Sequence, residues 1–460
     1  MTMLKCFAKP TTKKTVPVLF ILQTDYTHWL AKQDAFTQNW LTTSQFRGEA
    51  GCISQIPDKS GQLVTILCCI NDFTNMWSAG ALPFLLPEGQ YEFKLSVKEY
   101  TSFAIAWGLG AYEFTRYKKS IRSPAQLIIP NTLNRKRIHN IVESIYLVRD
   151  LINIPTDDMG PSDLGAFAML LSKQYKATCK QIIGENLLKN NYACIYTVGR
   201  ASDDPPRFID LRWGKSTHPK LTLVGKGVCF DSGGLNIKSS SGMLLMKKDM
   251  AGAAHALGLA RMIMEAKLPV RLRVLIPAVE NVISGNAYRP GDIIKSRKGT
   301  TIEIGNTDAE GRVVMADALT EAVSENPDLL IDLSTLTGAA RVAVGTDISA
   351  VFANHDDVVA AVIKEGEKYN DPIWRLPLFA GYRESLNSSI ADINNNSTDV
   401  YAGAITAALF LQEFVPSHIP WLHFDMMAWN VRTRPGRPQG GEAMALRALF
   451  GYLEERFNSR

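Results

Sequence analysis

LTLVGKGVCFDSGGLNIKSSSG, residues 221–242, is the stretch on which the reading of this chain turns. It opens on an apolar run without polar alternation, the pattern of a strand covered on both faces of a sheet. It then changes to glycine, aspartate, lysine and serine, the composition of a loop leaving the end of a strand, with SSSG (239–242) read as flexible. Beyond it, MAGAAHALGLARMIMEA (250–266) takes on helical spacing, and a helix is expected to begin near Asp249. Further units follow. RLRVLIPAV (271–279) and TTIEI (300–304) lead to a helix expected after Arg312 (VVMADALTEAV); LLIDLST (329–335) precedes a Gly-Ala turn; WLHFDM (421–426) precedes a last helix in GGEAMALRALFGYLEERF (440–457). This alternation predicts an α/β fold on a central twisted, largely parallel sheet. Ligands in such sheets gather outside the carboxyl ends of the strands.

Upstream, VPVLFIL (16–22), LVTILCC (63–69) and SFAIAWGL (102–109) read as strand-like runs of a small α/β domain without recognisable chemistry. From Arg135 to Leu151 the apolar residues Ile138, Ile141, Ile145, Val148, Leu151 and Ile152 recur at helical intervals, and Pro155 and Pro161 punctuate the end. The expected organisation is an N-terminal α/β domain at 1–128, a linker helix at 129–155 and a catalytic domain at 156–460. That suits 460 residues at roughly 150 per domain.

With 46% hydrophobic and 21% charged residues the composition is that of an ordinary soluble globular chain. No apolar run approaches the roughly 20 residues needed to cross a bilayer, so no membrane partner is expected. The first residues show no secretory signal. Seven cysteines without a CxxC pair suit a reducing compartment, and a cytoplasmic location is the expectation. Net charge is only +5; the basic runs RYKKSIR (116–122) and RKR (135–137) read as solvated faces, with nucleic acid or another anionic surface as the rival reading.

Three segments place carboxylates and lysines just after strands: Lys226, Asp231 and Lys238 in the opening stretch, Asp249 in MLLMKKDMAGAA, and Asp308, Glu310 and Arg312 in GNTDAEGR. In extended chain the last three, at every second position, would project to one side and converge. A salt-bridged exposed turn would read the same way. Asp249 alone could simply cap the helix after it. The glycine-rich segment lacks both the GxxxxGK[ST] and the GxGxxG order, which argues against nucleotide binding. Together, Asp231, Asp249, Asp308 and Glu310 offer oxygen donors with no histidine nearby, a set suited to Mg²⁺, Mn²⁺ or Zn²⁺. Held close, so many carboxylates repel unless cations neutralise them, which favours two ions over one. His418 and His423 read as loop and core residues.

GKGVCFDSGGLNIK, MKKDMAGAA, RPGDIIKSRKGTTIEIGNTDAEGRVVMADAL and DLSTLTGAA resemble the leucyl aminopeptidases, the cytosol aminopeptidase family of two-metal exopeptidases, in its shorter bacterial branch. The resemblance runs from about Arg149 to the C-terminus. It implies two divalent metal ions per subunit, Zn or Mn, with Mg as a further candidate. Asp231, Asp308 (side chain and backbone carbonyl) and Glu310 would hold the more exchangeable ion, and Lys226, Asp231, Asp249 and Glu310 the tighter one. Lys238 would stabilise the developing oxyanion, and Arg312 would hold a bicarbonate acting as general base. Met246, Thr335, Leu336 and Gly338 match positions lining the first substrate pocket. The substrates implied are peptides with a free N-terminus, leucine and other apolar residues favoured. The resemblance further implies a homohexamer and, because some relatives double as DNA-binding proteins, keeps nucleic acid open as a second role.

Overall fold

Ser96 stops SFAIAWGL from being a strand. Its hydroxyl accepts the Glu99 N–H while the Glu99 carboxylate accepts the Ser96 N–H, a reciprocal cap that starts helix α1, Val97–Gly110. The strand expectation is therefore corrected. Residues Phe103 to Leu109 are all buried, and a helix apolar on every side leaves no periodicity in its sequence to tell it from a buried strand.

The computed structural model describes residues 4–9 and 15–458. The chain divides into two units, Met1–Tyr146 with Arg432–Gln439, and Leu147–Val431 with Gly440–Arg460. The first holds a six-stranded sheet of β1 (Phe7–Ala8), β2 (Val16–Leu22), β3 (Ile53–Pro57), β4 (Leu63–Ile70), β5 (Gln90–Lys94) and β6 (Gln126–Ile128), in the order β1-β6-β5-β2-β4-β3. Only β3 runs antiparallel to its neighbour. Phe20, Phe93 and Phe103 meet edge to face in its core. In the basic run 116–122, Arg122 is tied to the Phe84 and Leu86 carbonyls. Helix α2, Arg135–Asn153, carries the apolar spacing noted above.

The second unit is built on a nine-stranded sheet. Its strands are β7 (Thr178–Ile183), β8 (Arg207–Trp213), β9 (Lys220–Gly225), β10 (Gly227–Asp231), β11 (Arg271–Asn281), and, after β12 (Ile293–Lys295) and β13 (Thr301–Glu303) of a small separate sheet, β14 (Leu329–Ser334), β15 (Ser349–Ala353), β16 (Ile373–Arg375) and β18 (Trp421–Asp425). β17 (Ile393–Asn394) joins the small sheet. The order is β16-β15-β18-β14-β9-β11-β8-β7, with β10 extending along β11. The centre, β18-β14-β9-β11, is parallel; antiparallel pairs lie toward both edges. The apolar strands are buried along nearly their whole length, as a sheet covered on both faces requires.

Helix α3, Pro161–Gln174, packs on the β7–β8 side of this sheet. Helix α4, Ala251–Ala266, lies so close to the sheet that a β-carbon on Gly252 would come within 2.0 Å of the Leu333 carbonyl. Helix α5, Glu310–Val323, begins two residues before Arg312. Where a Gly-Ala turn was expected, Thr337 caps a helix, α6, Gly338–Val344. SSSG is likewise no loop, since Ser239 caps a short helix at Ser240–Met243. The last helix, α7, runs Leu446–Asn458, later than the sequence suggested. Gly440 and Gly441 pair with Asn430 and Trp429 instead, and the Glu442 carboxylate is taken by buried Arg149 and by Asn430.

Candidate active site

LTLVGKG breaks at Lys226, and that break begins the site. Lys226 N–H donates to Leu333 on β14, whereas the next residue, Gly227, pairs with Ala278 on β11. The chain thus steps from between two strands onto one of them, leaving the Lys226 side chain at the carboxyl ends. Asp231 closes β10; Asp249 sits on a turn of 3₁₀ helix just before α4; Asp308 lies in a second such turn; Glu310 opens α5; Thr335 follows β14.

These side chains meet. Lys226 Nζ lies 2.7 Å from Asp249 Oδ2 and 2.9 Å from Glu310 Oε1. Lys238 Nζ lies 2.9 Å from Asp231 Oδ2 and also pairs with Asp308. One oxygen each of Asp231, Asp308 and Glu310 fall within 4.8 Å of one another. Asp249 accepts from the Thr335 hydroxyl at 2.7 Å rather than capping α4, whose first residues it does not reach with a cap bond. All of these residues, with Met246, Leu336 and Gly338, line one cavity of about 310 Å³.

Arg312 does not line it, and the extended-chain argument for its convergence is corrected. Glu310 and Arg312 are both in α5, where residues two apart point to nearly opposite sides. Arg312 is buried and its Nη1 donates to the Asn395 carbonyl at 2.9 Å. His423 is a core residue bonded to Asp332, and His418 a surface one bonded to Asn326.

Electrostatics follow from packing three buried carboxylates, Asp231, Asp249 and Glu310, and the partly exposed Asp308 among lysines. Burial, then the Asp249 charge, pushes Asp231 up to about 6. Burial and the Asp231 charge lift Glu310 well above the carboxylate range. For Lys226, burial acts downward, but Asp249, Glu310 and Asp231 outweigh it and raise its pKa. Burial lowers Arg312 to about 10, against Glu310 and Asp425.

Sequence reasoning missed several residues. Asn281, at the end of β11, donates to Asp231 Oδ1 at 2.8 Å and to the Thr307 carbonyl at 3.0 Å. Tyr288 hydroxyl donates to the same carbonyl at 2.7 Å. Asn395 accepts the Gly305 and Asn306 N–H groups, shaping the turn that presents Asp308. Lys248 and Arg341 line the cavity. Nothing local marks any of these; only Lys248, next to Asp249, sits inside a quoted motif.

The profile of the cytosol aminopeptidase family, catalytic domain, matches residues 146–450, and that of the M17 aminopeptidase N-terminal domain matches 16–130. The chain belongs to the cytosol aminopeptidase family. A probable cytosol aminopeptidase of Syntrophotalea carbinolica is 43% identical over 324 residues, 70% of this chain and 65% of the relative, so the match spans just under two thirds of that relative's length. Among solved structures, the cytosol aminopeptidase of Coxiella burnetii superposes with a TM-score of 0.96 at 52% identity, covering 98% of this chain and 99% of the other. The bottromycin maturation enzyme BotP, solved in complex with Mn, gives 0.86 at 31% identity over 96% of this chain and 100% of its own. Membership in the cytosol aminopeptidase family accounts for both units, including the first, in which the sequence offered no motif. No helix among the described residues is long and apolar enough to cross a membrane.

Proposed function

We propose that this chain is a two-metal aminopeptidase, hydrolysing single N-terminal residues, leucine and other apolar ones among them, from peptides with a free amino end. The reading rests above all on the meeting of Asp231, Asp308 and Glu310 oxygens within 4.8 Å at the carboxyl ends of the parallel strands. The donor set fits divalent cations: it is all oxygen apart from Lys226, and four carboxylates outnumber the two lysines paired with them. Asp231, Asp308 and Glu310 would hold one ion, and Lys226, Asp231, Asp249 and Glu310 the other. When bound, such ions supply a hydroxide-strength nucleophile at neutral pH and polarise the scissile carbonyl.

The chain's own residues do the rest. Lys238, on the cavity wall beside Asp231 and Asp308, would turn its ammonium to the carbonyl oxygen as that becomes negative and so stabilise charge present only in the transition state. Thr335 fixes Asp249, and Asn281 fixes Asp231, each by a hydrogen bond that sets a carboxylate's direction. Met246, Leu336 and Gly338 wall the space for the first residue. Arg312 commits Nη1 to Asn395; its other nitrogens bond to no described residue and could hold a planar anion such as bicarbonate. Large apolar side chains left in solvent on this unit, Val342, Leu244, Val400 and Tyr401, are the kind a subunit contact covers, which supports the homohexamer.

The test is a pair of amides. With Mn²⁺ or Zn²⁺ added, leucine amide should be hydrolysed and N-acetyl-leucine amide should not. Comparable rates on both would overturn the aminopeptidase reading.

A further inference from the structure

Two cationic side chains in the cavity wall have no part in the reading above. Lys248 is 3% exposed, yet its ammonium makes no hydrogen bond or ion pair with any described residue. The charges that reach it are Asp249 and Asp425, which attract it, and Arg341 and Lys226, which repel it. Both carboxylates are already engaged. Asp249 holds Lys226 and the Thr335 hydroxyl. Asp425 accepts the N–H groups of Leu336 and Thr337 and the Thr337 hydroxyl.

Arg341, on α6, lines the same cavity and is likewise without a side-chain partner among the described residues. A β-carbon placed on Gly338 would stand 3.5 Å from its Nη2, so the guanidinium folds back toward the start of α6 and the cavity. Lys248 presents its ammonium to the cavity with no partner among the described residues to balance it, and two like charges facing one space repel. An anion between them relieves that repulsion and supplies the missing partner, and a carboxylate matches the arginine fork.

We propose that Lys248 and Arg341 form a carboxylate-binding subsite that selects substrates carrying a carboxylate close to the scissile bond. The proposal deepens the aminopeptidase reading and rests on it. In a cavity of about 310 Å³ that carboxylate has two sources. One is the side chain of an N-terminal Asp or Glu; the other is the free C-terminus of a dipeptide.

Two substrate ratios separate the sources in the metal-loaded protein. Glutamic acid α-amide against glutamine amide reports the side chain; Leu-Gly against Leu-Gly-amide reports the C-terminus. In kcat/KM, at least one ratio should favour the acid by roughly 10- to 100-fold, the worth of a hydrogen bond to a charged group. The same ratio should fall toward one in K248M and in R341Q, which lies at an exposed site. A general loss of activity cancels in a ratio, so a merely structural effect of either change would not move it. Both ratios near one in the unmodified protein, or ratios unmoved by the substitutions, overturn the subsite. If leucine amide itself is not hydrolysed, the aminopeptidase reading fails separately. Calorimetric affinity for glutamate against glutamine then decides the subsite, equal affinities overturning it and a preference for glutamate lost in K248M supporting it.

Discussion

Glu310 is 1% exposed, with Lys226 Nζ 2.9 Å from one carboxylate oxygen and Asn281 Nδ2 3.4 Å from the other. With Asp231, it is one of two residues that would belong to both proposed metal positions. Glu310→Gln keeps the volume and removes the charge. Activity on leucine amide should drop by more than the roughly 10–100-fold that altering a residue behind a ligand costs. The fold should stand, because the same change removes a buried repulsion with Asp231. Metal content by atomic absorption and kcat on leucine amide check it; full occupancy with unchanged turnover would take Glu310 out of the metal shell. That Glu310 belongs to the site was legible in GNTDAEGR. Why it does was not, since the extended geometry assumed for that run is helical from Glu310 onward.

Helix α5 carries a second consequence of that start. Gly311 is in its first turn, where alanine would favour the helix by up to about 1 kcal/mol. Yet a β-carbon there would lie 2.5 Å from Lys226 Cε and 2.6 Å from its Nζ. The glycine makes room for the lysine that joins α5 to the break between β9 and β10. Gly311→Ala should therefore cost metal affinity and at least about tenfold in kcat/KM on leucine amide, the lower end of what disturbing a ligand's surroundings costs. Its urea midpoint should stay close to that of the unmodified protein. A fall in midpoint without loss of metal affinity would instead make Gly311 a packing residue. Three of the element-scale errors of sequence reading share one cause. SFAIAWGL, the Gly-Ala turn and SSSG all became helices through caps by Ser96, Thr337 and Ser239, and a cap is one side chain against one N–H, too small to register in a hydrophobic period.

At the scale of the whole molecule, stability should carry the mark of His255. The ring is fully buried, with Nδ1 2.6 Å from the Ala251 carbonyl and Nε2 accepting the Met444 N–H at 2.9 Å. A neutral ring satisfies both; a proton on Nε2 would face another N–H. Burial lowers the pKa to about 4, while the unfolded chain takes the proton near 6.5. Between those values the unfolded state binds more protons, so stability is full above about pH 6.5 and falls as the pH drops toward 4, by about 3 kcal/mol in all. Urea midpoints from pH 7 to 4.5 should fall less steeply in His255→Gln than in the unmodified protein. Equal slopes would exclude His255 as the source. The assembly is tested at the same scale: light scattering should give a mass several times the 50.9 kDa of one chain, and a fully active monomer would end the hexamer proposal.

Alternation of apolar strands with helical runs was enough to set the α/β class and the parallel centre of the large sheet, because each strand buried on both faces writes its burial into contiguous residues. The motifs at 226–238, 246–254 and 305–312 held Lys226, Asp231, Lys238, Met246, Asp249, Asp308 and Glu310, and DLSTLTGAA (332–340) held the Thr335–Gly338 wall of the same cavity. What the sequence could not carry is direction. Arg312 turns away from Glu310 because α5 begins before it; Asn281 and Asn395 reach the site from segments far along the chain; Lys248 and Arg341 face one space because α6 starts just after β14 and the turn before α4 is tied to Thr335 at the end of β14 through Asp249. Local spacing fixes the period of an element. Which side chains converge is decided by the order and register in which β9, β10, β11 and β14 pair, and that pairing joins residues no short window contains.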